Sequence, residues 1–375
     1  MKEMDVLKLT GFKCFANETL NLNKLTLLTG SNGAGKSSVI QALLLLRQAI
    51  EVCGRNTGKQ ADNEIALNGY RKLQLGTFDD ICHIDAEHIC ISLNGTDCEL
   101  MQGENSHLVK VAITAEQLSS LPDYLTRKEF YYLNAERIGP RLESELQVTT
   151  YPESGDSGEW TGNILLEASR TFPKVENDRL AGQTDVNNFN IQVDRWMSYI
   201  FSEVSIKSEP ITTHTCQIKL RGPKVTATTP NTGFGYTYAL PVVINGLIAR
   251  RGSMMIIENP EAHLHPKAQS NIGFFLGKMA AAGLKIVVET HSEHVINGIR
   301  RAALSQFGLN PDEVNIYFFE RNSENCPYIA ISIDEDGNLS DFPVDFFDQV
   351  RQDMMEIIRL AQLKKERIEP WNMHA

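Results

Sequence analysis

Gly30-Ser31-Asn32-Gly33-Ala34-Gly35-Lys36-Ser37 fits the phosphate-cradling pattern G-x-x-x-x-G-K-[ST] at every position. Its surroundings are those the pattern requires. Leu25-Thr26-Leu27-Leu28-Thr29 before it is apolar and strand-like, and Val39 to Leu46 after it is an apolar, helix-like run. Glycines let the loop turn its backbone N–H groups toward phosphate oxygens, and the next helix adds the positive end of its dipole. Lys36 is expected to reach the β- and γ-phosphates and Ser37 to ligate magnesium, with Ser38 completing the binding stretch. The sequence therefore predicts a nucleoside triphosphate site over residues 30–38.

A chain of 375 residues is long enough for a large α/β core with an inserted or appended subdomain. No apolar run approaches the ~20 residues of a membrane span, and Met1 to Asp5 lacks a secretory apolar segment. The seven cysteines (14, 53, 82, 90, 98, 216, 326) are odd in number and form no Cys-x-x-Cys pair. They read as free thiols of a reducing cytoplasm, with no zinc site among them. A net charge of −11 counts against a broad face that clings to nucleic acid. Arg250-Arg251, Arg300-Arg301 and Lys364-Lys365-Glu366-Arg367 are local basic clusters, read as solvated helix ends.

Three regions follow from the patterning. Residues 1–150 hold the phosphate loop and half-buried strands at Val6 to Thr10, Ala86 to Leu93 and Val109 to Ile113. A polar stretch at Tyr151 to Gly162 opens an insertion or lid, residues 151–215, with helical signals at Val193 to Phe201. In residues 216–375 strands and helices alternate: Ser253 to Ile257, Pro266 to Ala282, Lys285 to Val288, Glu293 to Ser305, Val314 to Phe319 and Tyr328 to Ile333. A terminal helix runs from Phe346 to about Arg367. Such alternation predicts an α/β core whose loops at the strand ends build the site.

Two of those strands end in chemistry. Met254-Met255-Ile256-Ile257-Glu258-Asn259-Pro260-Glu261 places Glu258 for the metal side and Glu261, three residues on, to polarise an attacking water. Ile286-Val287-Val288-Glu289-Thr290-His291-Ser292 ends in a histidine that can hydrogen-bond a γ-phosphate. His263, His265 and His294 are read as packing or loop residues. Ile333-Asp334-Glu335-Asp336-Gly337-Asn338 reads as a turn between strands and not as a metal site. Arg137 and Arg141 are open to a phosphate, a partner surface, or an ion pair with Glu136 or Glu143.

The wording of these motifs resembles the soluble branch of ATP-binding-cassette ATPases that includes SMC, RecF and OLD (overcoming lysogenisation defect) proteins. Glu258-Asn-Pro-Glu261-Ala-His-Leu-His265-Pro266 and Glu289-Thr-His291-Ser292 resemble the Walker B, D-loop and H-loop of its phage-defence members, the Septu-, retron- and OLD-like ATPases without a Toprim domain. Leu9-Thr-Gly-Phe12-Lys-Cys-Phe15 and Tyr132-Leu-Asn-Ala-Glu-Arg137-Ile-Gly-Pro140-Arg141 add to the likeness. The fold it implies is an ABC ATPase head: a P-loop core sheet with flanking helices, an N-terminal antiparallel β lobe and, here, a mainly helical insertion. The activity it implies is ATP hydrolysis with magnesium, using Lys36, Glu261 and His291.

The chain departs from that pattern in two places. The metal-side acid is Glu258 where most cassettes have aspartate. The transporter-type signature is absent, and Asn231-Thr-Gly233-Phe234-Gly235-Tyr236-Thr237 is read in its place, with Gly233 and Gly235 meeting the ATP of a partner subunit. Gln74 is the Q-loop candidate. No heptad pattern for SMC-type arms lies between Lys36 and Gly233, and residues 292–375 are too few for a Toprim domain beside the closing strands and helix. The resemblance thus implies a cytoplasmic homodimer or higher homo-oligomer, joined head-to-tail through ATP, that controls an effector protein in anti-phage defence or a toxin–antitoxin-like system. Nucleic acid would be contacted indirectly, and no membrane. The alternative is a RecF- or SMC-like repair ATPase that binds DNA directly.

Overall fold

The computed structural model describes residues 4–55, 63–171, 174–182, 184–306, 308–320, 328–344 and 346–368. The chain divides into two units, Met1–Ser340 and Asp341–Ala375. Among the described residues the strands of the first unit form three sheets.

The core sheet runs in the order Tyr328–Ile331, Val314–Phe319, Leu25–Gly30, Lys285–Glu289, Met254–Glu258, Phe130–Leu133. All neighbours are parallel except the antiparallel edge strand Tyr328–Ile331. Strands of a parallel sheet are covered on both faces, so they read as continuous apolar runs. Leu25 to Thr29 and Met254 to Ile257 are buried throughout for that reason. The strand carrying Glu289 lies between the phosphate-loop strand and the strand carrying Glu258, and Glu258 and Glu289 are register partners. Both carboxylates therefore leave the sheet at the same edge as the loop.

The N-terminal lobe is an antiparallel sheet in the order Phe15–Leu22, Asp5–Phe12, Ile89–Leu93, Thr96–Gln102, Leu108–Ala112, Asn63–Ala66. Asp5–Phe12 alternates, burying Leu7 and Leu9 and turning Lys8 out. Between this lobe and the core sheet lies the helix Lys36–Arg55, whose leucines fill the shared core. Among the described residues this helix alone is long and apolar enough to cross a membrane, against the sequence expectation, but most of it is buried inside the protein. It is apolar because it is packed on several sides. Asp5 and Lys285 join lobe to core by an ion pair of 2.5 Å.

The region expected to be a mainly helical insertion is mostly helical within residues 151–215 and shares a sheet with its flanks. Helices Thr161–Thr171 and Phe189–Ile200 are present, but a four-stranded antiparallel sheet accompanies them. Its strands are Ser144–Glu145, Ser205–Pro210, Thr215–Arg221 and Thr226–Thr228, so it crosses both expected boundaries, 151 and 215. The period-2 burial of Cys216, Ile218 and Leu220 explains the strand that sequence reading passed over. The second unit contains the helix Gln349–Ile368, close to its expected span.

Candidate nucleotide site

The phosphate loop takes the backbone its glycines permit. Gly30, Gly33 and Gly35 have φ of 118°, 73° and 113°, a region costly for side-chain-bearing residues. A Cβ at Gly30 would sit 2.2 Å from the Phe319 carbonyl oxygen, whereas Gly33 has open space around it. Lys36 begins the helix and is 4% exposed. Its Nζ donates to the carbonyls of Gly30 at 3.0 Å and Ser31 at 2.7 Å, so the lysine lies folded across its own loop. Burial lowers its pKa, with Glu289 acting in the opposite direction.

The loop opens on a cavity of about 520 Å³, walled by the loop, Lys13, Gln41, Glu289 and His291. Lys13 stands in the turn joining the first two strands and donates to Gln41 Oε1 at 2.7 Å, placing a second cation at the mouth. His291, expected at the γ-phosphate, is exposed on this wall. Partial burial lowers its pKa, and the charge of Lys36 lowers it further.

Of the acids, the one nearest the loop is the one sequence reading did not single out. Ser37 Oγ donates to Glu289 Oε1 at 2.9 Å. Glu289 is 5% exposed, and among the described residues its buried Oε2 has no hydrogen-bond partner. Burial, and then the like charge of Glu258, push its pKa up to about 7. Neither Glu258 nor Glu261 lines the cavity. Glu258 accepts a hydrogen bond of 2.6 Å from the Tyr132 hydroxyl. Glu261 accepts from the Thr290 hydroxyl at 2.8 Å and from the His291 backbone N–H at 2.6 Å, so it grips the turn that carries the histidine. Burial raises the pKa of both. The signal for Glu289 was a charged residue ending a buried strand; the strand order that sets it beside Ser37 is not local information.

Arg137 makes neither of the ion pairs considered for it. It is 4% exposed and donates to the carbonyls of Asn134 (3.1 Å), Glu258 (2.8 Å) and Asn259, with its guanidinium 5.4 Å from the centre of the Tyr238 ring. Asn259, at φ 45°, is the left-handed turn this arginine braces. Burial lowers the Arg137 pKa to about 10. Arg137 thereby ties the acidic strand's end to the helix Phe234–Ile248.

That helix begins at the expected signature. Gly233 is its exposed N-cap, and Gly235 is buried 3.0 Å (by an added Cβ) from the His263 carbonyl oxygen. The His263 ring packs on Phe234 and Tyr238 at 5.2 and 4.7 Å, joining the acidic loop to the signature helix. Neither glycine lines the loop cavity, and neither does Gln74, which is exposed in a bridge with Asn68.

The basic clusters are engaged locally. Arg250 pairs with Glu129 at 3.0 Å, Arg251 with Asp178, and Arg300 and Arg301 hydrogen-bond Gly337, Asn297, Ser270 and Tyr199. The side chains of Lys365 and Arg367 lie outside the described residues, as does Cys326. Asp334 accepts from the N–H groups of Asp336 and Asn338, the turn expected there. Among the described residues no three His, Cys, Asp or Glu side chains gather around one metal position. Magnesium sites that use nucleotide phosphates need only one or two protein carboxylates, and the unpartnered Glu289 Oε2 beside the Ser37 hydroxyl fits that requirement.

Comparison with known proteins agrees with this geometry. The structure resembles an SMC head bound to the C-terminal winged-helix domain of ScpA (10% identity, 89% of this chain and 98% of that one, TM-score 0.51). It also resembles a Pyrococcus furiosus Smc head with an extended coiled coil bound to the C-terminal domain of ScpA (10% identity, 96% and 100%, TM-score 0.51). At such identity the likeness establishes the fold alone, that of an ABC-type ATPase head. No curated protein sequence matches the chain. Residues 309–357 match a family described as a protein of unknown function, DUF3696. Residues 3–147 and 137–296 match the AAA ATPase domain, and the chain belongs to that family.

Proposed function

We propose that the protein is an ATP-hydrolysing conformational switch that closes head-to-tail on a second copy and passes the closed state to an effector protein. The observation that carries this reading is the convergence of Lys36, Ser37, Glu289 and His291 on one cavity at the phosphate loop. Lys36 leaves the carbonyls of Gly30 and Ser31 to meet the β- and γ-phosphates. His291 donates to the γ-phosphate, and Glu261, bonded to the backbone of His291, prepares the attacking water. Magnesium would be held from the Ser37 side and would neutralise charge developing on the phosphates.

The exposed Gly233 start of the signature helix lies away from the cavity of its own chain, which supports completion of each site by a second copy. Catalysis here is mostly positioning and charge stabilisation, so a site lacking its partner's half would turn over slowly. The resemblance to phage-defence ATPases makes that setting, with a nuclease or other effector, the first to test. Direct DNA binding of the RecF kind is disfavoured by the charge of −11 and by the local engagement of Arg250, Arg251, Arg300 and Arg301.

The test is the light-scattering mass of Glu261→Gln with and without magnesium-ATP. The variant is expected to bind ATP, to lose turnover by ~10²–10⁴-fold as general-base variants do, and to double in mass with ATP. Wild-type turnover would move the base elsewhere. A monomer that binds ATP without doubling would refute closure by this chain alone.

A further inference from the structure

The strand Thr215–Arg221 buries Cys216, Ile218 and Leu220 and turns Gln217, Lys219 and Arg221 to the other face. Beside it, Ser205–Pro210 buries Ile206 and turns out Lys207 and Glu209. The helix Thr161–Thr171 covers the buried face, where a Cβ at Gly162 would meet Cys216 Sγ at 2.7 Å. On the open face the antiparallel register sets Lys207 opposite Lys219 and Ser205 opposite Arg221. Like charges facing each other across a strand pair destabilise it. Lys219 is relieved by Glu209 at 2.6 Å, but that pair is 37% and 51% exposed and therefore weak. Among the described residues Lys207 and Arg221 make no ion pair at all. These side chains, with Glu203, Ser205 and Thr226, line a groove of about 730 Å³, roomier than the nucleotide cavity.

We propose that this groove docks an acidic segment of the effector protein, its carboxylates taken by Lys207 and Arg221, and by Lys219 in exchange for Glu209. The inference rests on the effector-partner reading above. A protein segment is favoured over nucleic acid because Glu203 and Glu209 stand on the same groove. They repel a strand charged at every unit, whereas a peptide places neutral residues beside them. The groove also adjoins the elements that the switch uses. Ile206 N–H donates to Asp194 Oδ1 at 2.7 Å, and Val204 exchanges two hydrogen bonds of 3.0 Å with the Ser198 hydroxyl. Asp194 and Ser198 belong to the helix Phe189–Ile200. Its C-cap, Phe201, stacks on Tyr236 at 4.3 Å, in the first turn of the helix Phe234–Ile248. Docking in the groove and closure on a second copy then bias the same elements, and each changes the other's affinity by the same factor.

The experiment follows fluorescein-labelled octaglutamate by anisotropy with the full-length protein, at low salt because exposed charges are screened. The variants are Lys207→Glu, Arg221→Glu and, on the outward face of the N-terminal lobe, Lys8→Glu. Wild type and Lys8→Glu are expected to bind alike. Each groove variant should weaken by about tenfold or more, the scale of one lost charge-assisted hydrogen bond. No binding to wild type, wild-type affinity in both groove variants, or an equal loss in Lys8→Glu overturns the assignment. So does an oligothymidine of equal charge that binds more tightly than octaglutamate and is lost with Arg221→Glu, which would give the groove to nucleic acid. Magnesium-ATPγS is expected to shift the octaglutamate affinity of wild type. Groove binding that is identical with and without the nucleotide refutes passage of the closed state to a partner here, a failure of the effector reading and not of the docking site.

Discussion

Arg71→Met tests whether the N-terminal lobe is clamped to the segment that leads into the insertion. Arg71 sits at φ 45° in the short turn Tyr70–Lys72, and its guanidinium donates to Asp156 Oδ1 at 2.6 Å, Glu153 Oε2 at 3.1 Å and the Tyr151 hydroxyl at 2.9 Å. The three charged side chains are only 15%, 11% and 17% exposed for Arg71, Glu153 and Asp156. Burial opposes the arginine's charge, and the two carboxylates outweigh it; burial pushes both carboxylates up despite the arginine. Methionine preserves much of the packing against Phe130 but leaves two buried acids without a cation. Removing one partner of a buried pair costs about 3–5 kcal/mol.

The loss must also depend on pH. Each carboxylate whose folded pKa rises costs ~1.4 kcal/mol per unit once the unfolded chain has released its proton. With folded values above unfolded ones, the native state binds more protons, so stability falls as pH rises through that window. The urea midpoint, followed by tryptophan fluorescence, should therefore drop more at about pH 8 than at about pH 5.5. Adding Glu153→Gln and Asp156→Asn to Arg71→Met should recover most of the loss. A cost under ~1 kcal/mol that is flat with pH would mean that water solvates the cluster, and would refute the clamp.

Other perturbations address the site and the interface. Lys36→Ala should weaken a fluorescent ATP analogue by more than about tenfold, since charge-assisted hydrogen bonds contribute ~1.5–3 kcal/mol; undiminished affinity would remove the loop assignment. Gly235→Val would bring a branched side chain against the His263 carbonyl, Leu264 and Phe201, all within 3.2 Å of its Cβ. It should keep ATP binding and lose ATP-dependent mass doubling, and doubling at wild-type level would detach the signature helix from closure. Asp5 is held below the ordinary carboxylate range, because Lys285 and its hydrogen bonds outweigh the opposing effect of burial. Its contribution is present above the unfolded pKa and disappears as pH falls through the lower folded one. Asp5→Asn should flatten the acid limb of a stability–pH profile, and an unchanged limb would show that the ion pair is not what holds lobe to core there.

The phosphate loop was legible because its determinants are local: three glycines at positive φ, a buried strand before it and a leucine-rich helix after it. The same holds for the strands ending at Glu258 and Glu289, whose apolar runs record burial on both faces of a parallel sheet. What local patterning does not carry is the order of strands. Walking along the chain, Glu258 and Glu261 come first and resemble the expected acidic pair. Walking across the sheet from the loop, Glu289 comes first, because its strand is inserted between the other two. Arg137 was opaque for a related reason. Besides the Asn134 carbonyl nearby, its partners are backbone carbonyls at Glu258 and Asn259, more than a hundred residues away and displayed by a left-handed turn, so no charge pattern announces them. In both cases residue type is local information, while the neighbours that surround it are set by topology. Glu289 accepts from the Ser37 hydroxyl, and Glu261 accepts from Thr290 and from the backbone of His291. Motif order along the chain therefore leaves open which acid stands beside the phosphate loop, and only the order of strands across the sheet, with Glu289 bonded to Ser37, shows it.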